Sequence, residues 1–355
     1  MALGALYEGH GESALPYLQG KIMAQELCSL GLNLNFAPVV DVNSNQANPV
    51  INVRAFGDCP AQVDRLARQM VKGSAQIVTC YKHFPGHGDT HTDSHLNLPR
   101  VDRNREQAYA VDLAPYIAAI ADNDAPDMIM TAHIQYPALD DSLITRLDGE
   151  DIIVPATLSR RIQHHMLRQE MGYRGVTITD ALDMKAISDH FDPRDVVKRV
   201  FNAGVDIALM PVSVQAADEE DKLRELIDYI VAQVERGEID SEEIDVSVAR
   251  ILTLKRAKTS LRARRLPPRS ARPSGAWRKR WKALLPINRL RYCKIISCCR
   301  CGTSAAGSPF SRPGANRAMP CGRCCNKRAF MTSAAIKSTR SPGRHSVRKS
   351  IAAIS

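Results

Sequence analysis

Four short apolar runs in this chain each end in a side chain that carries charge or a titratable proton. NFAPVV leads into Asp41, IVTCY into Lys82 and His83, MIMTA into His133, and GVTIT into Asp180. The runs LNLNFAPVVDV (32–42), IVTCYKHF (77–84), DMIMTAHI (127–134), GVTITD (175–180) and VDIALMP (205–211) read as strands. Between them, 61–73, 105–123 with a kink at Pro115, 158–172 closed by Gly172, and 193–204 closed by Gly204 read as helices. Asp240 with Glu243 three residues on predicts a capping box that opens the helix SEEIDVSVARILTLKRAK. Strand–helix alternation over roughly 250 residues requires a parallel sheet with crossover helices. In an α/β barrel the loops at the carboxyl ends of the strands build the active site, and four such chemical endings form that pattern. Five strands are clear where a barrel has eight.

Composition confines this reading to part of the chain. Residues 259–355 hold 23 Lys and Arg and no acid, so all 38 acids and the remaining 25 basic residues lie in 1–258. The overall charge of +10 is therefore no sign that the body binds nucleic acid. Cys28, Cys59 and Cys80 are the only cysteines of the body, too few and too scattered for a disulfide framework. No apolar run approaches the ~18 residues of a membrane span, and the N-terminal residues show no signal-peptide pattern.

The densest segment is KHFPGHGDTHTDSHLNLP (82–99), with His83, His87, His91 and His95, Asp89 and Asp93, and Lys82. Pro85, Gly86 and Gly88 make it a loop hung from a strand end. Three readings stand: a polar surface loop, a metal site built from His and Asp, or a catalytic loop. The metal reading lacks the i,i+4 His pair of a zinc-protease helix. The catalytic reading rests on Asp93 and His95, since a carboxylate beside an imidazole fixes its tautomer and raises its proton affinity.

KHFPGHGDTxxDSH closely resembles the loop that marks family-three glycoside hydrolases, in their β-N-acetylglucosaminidase branch. GLNLNFAPVVDVN (31–43), NPVINVRAFG (48–57), MIMTAHIQYPALD (128–140), PATLS (155–159), GYRGVTITDALDM (172–184), AGVDIALMP (203–211) and VARILTLK (248–255) agree with the family in order. The resemblance covers 1–258. It implies a TIM-type (β/α)8 barrel with Asp180 as catalytic nucleophile and His95, paired with Asp93, as general acid/base. It implies that Arg54, Lys82 and His83 hold the hydroxyls of the sugar. The activity implied is retaining exo-hydrolysis of terminal β-linked N-acetylglucosamine, from peptidoglycan or chitin-derived fragments, with no metal or other cofactor. The partner implied is a carbohydrate substrate alone, handled by a monomeric cytoplasmic enzyme, or a periplasmic or secreted one where a signal precedes it. Asp183 is the rival nucleophile. Asp41 is read as a hydrogen-bond partner of the 81–83 region, His133 as orienting the site, His164 and His165 as ordinary helix residues, and Met128, Met130 and Met184 as core.

Two features depart from the family pattern. Members carry an early strand ending in an Asp-x-Glu-Gly-Gly segment with an Arg beyond it, whereas Met1 falls in what resembles the following helix. The expectation is a barrel lacking its N-terminal strand or strands. The second departure is the stretch 259–355, expected to be disordered and explained most simply by out-of-frame translation. Its spacing Cys298-x2-Cys301 and Cys321-x2-Cys324 instead allows a basic zinc ribbon that binds nucleic acid. Further rivals are a β-glucosidase or other β-glycosidase, a metal-dependent hydrolase, and a defective truncated product.

Overall fold

The computed structural model describes residues 2–10, 14–91, 98–216 and 219–259. Its helices and strands follow in order: α1 (Ala2–His10), α2 (Ala14–Ser29), β1 (Leu34–Asn35), α3 (Pro60–Gly73), β2 (Val78–Phe84), α4 (Arg105–Gln107), α5 (Ala114–Ala121), β3 (Met128–Thr131), β4 (Leu143–Thr145), β5 (Asp151–Ile153), β6 (Val176–Thr179), α6 (Lys185–Ser188), α7 (Pro193–Asn202), α8 (Glu220–Glu235) and α9 (Ser241–Thr259). Wide π-helical segments cover Ala108–Asp112 and Arg161–Glu170.

Strands β1, β2, β3 and β6 form one parallel sheet in that order, and Ile207 adds a parallel bridge to Ile178 beyond β6. β3 and β6 are buried at every position, as expected of parallel strands covered on both faces. Period-two alternation divides their side chains. Val78, Cys80, Met128, Met130, Val176 and Ile178 pack with Ile251 of α9. Tyr81 and Ile129 instead join a larger cluster with Val63, Leu66, Ala67 and Met70 of α3 and Tyr116 of α5. The α3 residues recur at i, i+3, i+4 and i+7, one buried stripe of an amphipathic helix. Pro60 opens α3, and the Asp192 side chain caps α7 by accepting from the Arg194 and Asp195 amides at 2.9 and 3.3 Å.

Several elements differ from the sequence reading. The 32–42 strand shrinks to Leu34–Asn35 and a bridge at Val39, because Pro38 brings no N–H to the ladder. The 205–211 strand reduces to the Ile207 bridge. Around it side chains take over the ladder: Asp206 Oδ2 accepts from the Thr177 amide at 2.8 Å, and the Leu209 amide donates to Thr179 Oγ1 at 2.9 Å. Helix 105–123 carries a π turn closed by Leu113 N–H to Ala108 O at 2.9 Å, just before Pro115. The capping box at α9 is half made. Asp240 Oδ1 accepts from the Glu242 amide at 2.8 Å, but Glu243 binds Arg160 at 2.5 and 3.0 Å instead of reaching back. The β4–β5 hairpin and α8 had no counterpart in that reading, while α1 begins where the resemblance placed a helix. The stretch 260–355, with its expected disorder and its zinc-ribbon alternative, lies outside the described residues, and so do Asp93 and His95.

Candidate active site

The sheet register brings the chemical strand endings to one edge. Val39 bridges Lys82, Phe84 pairs with Thr131, and Thr131 pairs with Thr179, so Asp41, His83, His133 and Asp180 follow at the carboxyl ends of neighbouring strands. The backbone ties these ends together: Val40 N–H donates to Lys82 O, Ala132 N–H to Phe84 O and Asp180 N–H to Thr131 O, at 2.8, 2.7 and 3.1 Å.

Asp41 is fully buried and organises the first half of the site. Oδ2 accepts from His83 Nδ1 at 2.7 Å, and Oδ1 accepts from the backbone amides of His83 and His87 at 3.1 and 2.7 Å. Burial acts to raise its pKa, but His83 and His87 outweigh burial and hold the carboxyl below its ordinary value. A carboxylate only accepts, so Nδ1–H of His83 points inward and Nε2 points toward Arg54 Nη2, 3.5 Å away. The expected hydrogen bond from Asp41 to the 81–83 region is thus present.

Asp180 is half-buried. Burial pushes its pKa up, while His83, His133, the Ala181 amide and Lys82 push it down and prevail, which keeps the carboxyl ionised. Ala181 N–H donates to Asp180 Oδ1 at 2.9 Å. Ala181 O accepts from His133 Nε2 at 2.9 Å, and His133 Nδ1 faces Thr157 Oγ1 at 2.9 Å. Burial holds the His133 pKa below its ordinary value; the ring donates through Nε2 to the Ala181 carbonyl, and its Nδ1 lies against Thr157, whose hydroxyl donates to Ala132 O at 2.8 Å. His133 therefore orients the turn that carries Asp180, as its strand-end position suggested. Thr157 was missed; its PATLS segment matched the family, but nothing in it marked the hydroxyl.

Lys82 is half-buried, and among the described residues its Nζ makes no hydrogen bond or ion pair. Burial first, and then Arg54, lower its pKa, against the pull of Asp180. The structure thus brings Lys82, His83 and Asp180 together, with Arg54 at the rim beside His83. Asp183 is exposed. Met128 and Met130 are core, and His164 and His165 lie on the Arg161–Glu170 helix away from the strand ends.

The loop after β2 is pinned from two sides. Asn48 Nδ2 donates to His87 O at 2.8 Å, and His87 Nδ1 lies 2.6 Å from Thr90 Oγ1. Burial lowers the His87 pKa to about 4, so its ring is neutral. Gly86 takes a φ of +135°, and a Cβ at Gly88 would meet Val42 O at 1.8 Å, so both positions need glycine. Among the described residues no three His, Cys, Asp or Glu side chains gather as a metal site. A cavity of about 820 Å³ is a different place: Leu34, Val78, Met128 and Val176 line it with Ile251 and Leu254 of α9, at the amino ends of the strands.

Residues 1–254 match the sequence model of the glycosyl hydrolase family 3 N-terminal domain. The chain belongs to that family. The fold is accordingly the TIM-type barrel, of which the described residues supply the parallel strands above. Beta-hexosaminidase A of Pseudoalteromonas piscicida is 48% identical over 257 residues, 72% of this chain and 43% of that protein. Beta-hexosaminidase of Neisseria meningitidis serogroup C is 33% identical over 228 residues, 63% of this chain and 58% of that protein. Among solved structures, a family 3 β-N-acetylglucosaminidase from Paenibacillus superposes with a TM-score of 0.64 at 40% identity, over 73% of this chain and 45% of that one. The chain thus spans less than two thirds of the length of these relatives. The β-glucoside phosphorylase BglX superposes with a TM-score of 0.61 at 27% identity, over 73% of this chain and 45% of that one. Among the described residues no helix is long and apolar enough to cross a membrane.

Proposed function

We propose that this chain is a retaining exo-β-N-acetylglucosaminidase acting on terminal β-linked N-acetylhexosamine of peptidoglycan or chitin-derived fragments. The observation that carries the reading is Asp180: a half-buried carboxylate at a strand end, held ionised by His83, His133 and Lys82, within a family 3 barrel. Family membership and relatives named beta-hexosaminidase support the substrate class.

In this reading the Asp180 carboxylate attacks the anomeric carbon while the glycosidic bond breaks. His95, its imidazolium stabilised by Asp93, gives its proton to the departing oxygen. Water, deprotonated by the same imidazole, then attacks the glycosyl–aspartate ester and releases the sugar with retained configuration. The imidazole–carboxylate pair takes the place of the second carboxylate of most glycosidases. Arg54, Lys82 and His83 bind the sugar hydroxyls. Lys82 suits this role because its ammonium sits beside Asp180 with no protein partner among the described residues. His83 suits it because Asp41 fixes which ring nitrogen faces outward. The reading requires no metal or cofactor and takes the enzyme as a cytoplasmic monomer, with 1–258 as its catalytic unit and 259–355 as a separate basic stretch.

Incubation of the 355-residue chain with an aryl N-acetyl-β-glucosaminide and with an aryl β-glucoside tests the activity and the sugar. Faster release from the first, unchanged by EDTA, is expected. Faster release from the glucoside, or loss of activity in EDTA, overturns the substrate or the metal-free assignment. The similarity to a β-glucoside phosphorylase makes inorganic phosphate the third arm. Release of free sugar in its presence is expected, and a sugar 1-phosphate product would replace hydrolysis by phosphorolysis. A 5-fluoro N-acetylglucosaminyl donor should leave a covalent label on the peptide that contains Asp180.

A further inference from the structure

Behind the loop that follows β2 lies a buried polar group that the reaction above does not use. Asp112 sits in the π turn at Ala108–Asp112 and is fully buried. Its Oδ2 accepts from the Tyr136 hydroxyl at 2.7 Å and lies 3.2 Å from Arg103 Nε, while its Oδ1 has no hydrogen-bond partner among the described residues. The same Arg103 reaches forward through Nη2 to Asp89 Oδ1 at 3.1 Å and Ser44 Oγ at 2.5 Å. Asp112 also touches the loop itself: a Cβ on Gly86 would fall 2.6 Å from Asp112 Cβ. The segment Gly86–Thr90 is therefore held between two buried carboxylates. Asp41 takes the His87 amide on one side. Asp112, with Arg103, backs Gly86 and Asp89 on the other.

We propose that Asp112 and Arg103 are positioning residues that set where the Gly86–Thr90 loop lies against Asp41, and through Asp41 how His83 is presented beside Asp180. Neither touches the sugar. This proposal rests on the glycosidase reading only for what the positioning serves; the clamp itself is defined by the contacts above.

The clamp changes with pH in the neutral range. Burial, opposed by Arg103 and Tyr136 and reinforced by Asp89 and Asp41, raises Asp112 to about 7. The groups facing it are Arg103, Tyr136, Asp89 and Asp41, with Tyr116 on the neighbouring helix. Above that value the carboxylate holds Arg103 in place. Below it the carboxyl is neutral, and Arg103 is left to Asp89 and Ser44.

The test uses the full chain labelled with ¹⁵N-histidine. His87 sheds its own ring proton at about 4, so a second inflection of its signals near pH 7 would come from a neighbour. That inflection is expected in the unsubstituted protein and absent in Asp112→Asn, which keeps the shape and the acceptor for Tyr136. Should Asp112→Asn fail to fold, Arg103→Lys serves: its shorter reach cannot hold Asp112, Asp89 and Ser44 together, and the inflection should move to higher pH. In the activity arm, kcat/KM for the aryl glycoside should show a step of about tenfold across pH 6–8 that the Asn variant lacks, because small displacements of a site group cost rate steeply. An inflection that persists in Asp112→Asn, is unmoved in Arg103→Lys, or is missing from the unsubstituted chain overturns the proposal. Absence of all turnover in a chain that shows the inflection overturns the glycosidase reading and leaves the clamp standing.

Discussion

Asp41→Asn keeps the shape of the side chain and removes all of the charge at the centre of the site. The carboxylate accepts from three buried donors: His83 N–H, His83 Nδ1–H and His87 N–H. An amide has one oxygen and one NH₂. If its oxygen keeps the two backbone amides, its NH₂ meets His83 Nδ1–H, and the ring must move its proton to Nε2, against Arg54. If its oxygen keeps Nδ1, the backbone amides lose their acceptor. Either way a buried donor goes unpaired, at about 1–3 kcal/mol, and a charge-assisted bond is lost, so about 3 kcal/mol of stability should disappear. Solvent screening does not dilute this, because Asp41 is 0% exposed. The pH dependence follows from the depressed folded-state pKa of Asp41. Its contribution is complete above the unfolded carboxylate range, near ~4, and fades only as pH falls through the lower folded value. Urea unfolding followed by far-ultraviolet circular dichroism should therefore show a gap between the two proteins that is flat from pH 5 to 8 and closes below about pH 4. A gap under about 1 kcal/mol at pH 7, or one that widens on acidification, would refute the claim that Asp41 is an ionised, triply bonded anchor.

Asp180→Asn should lower turnover by about 10⁴-fold with the fold intact, whereas Asp183→Asn, an exposed change, should stay within about twofold; parallel kinetics on the two variants decide the nucleophile. His95→Ala should impair poor leaving groups far more than activated aryl ones, and azide should restore part of the loss as a β-glycosyl azide. Asp93→Asn should move the basic limb of the pH–rate profile to lower pH, because the imidazolium loses its partner charge. Asp206 accepts from Arg168, Arg250, Ser247 and the Thr177 amide in full burial, so Asp206→Ala should cost about 3–5 kcal/mol in denaturant unfolding by leaving two cations without their partner.

What the sequence made legible is what a local pattern can encode. Parallel strands buried on both faces are uninterrupted apolar runs, so the titratable residues that follow each run mark the strand end, and Asp41, His83, His133 and Asp180 lie on that edge. Pairing is less legible, because a side chain can stand in for a backbone partner: VDIALMP has strand composition, yet Asp206 and Thr179 divert the ladder bonds on either side of Ile207. The π turns were hidden for a related reason, since one extra residue in a helical turn hardly disturbs an apolar stripe. Asp112 shows how a signal can be present and still carry no weight at sequence level. It is the one acid in the apolar run AYAVDLAPYIAAIA, where a buried carboxylate is costly unless partnered. Its partners, Arg103, Tyr136 and the bare Cα of Gly86, come from three other stretches of chain. The cost of that carboxylate could be read from the sequence, but what offsets it becomes visible only once the loop after β2 folds back onto the helix.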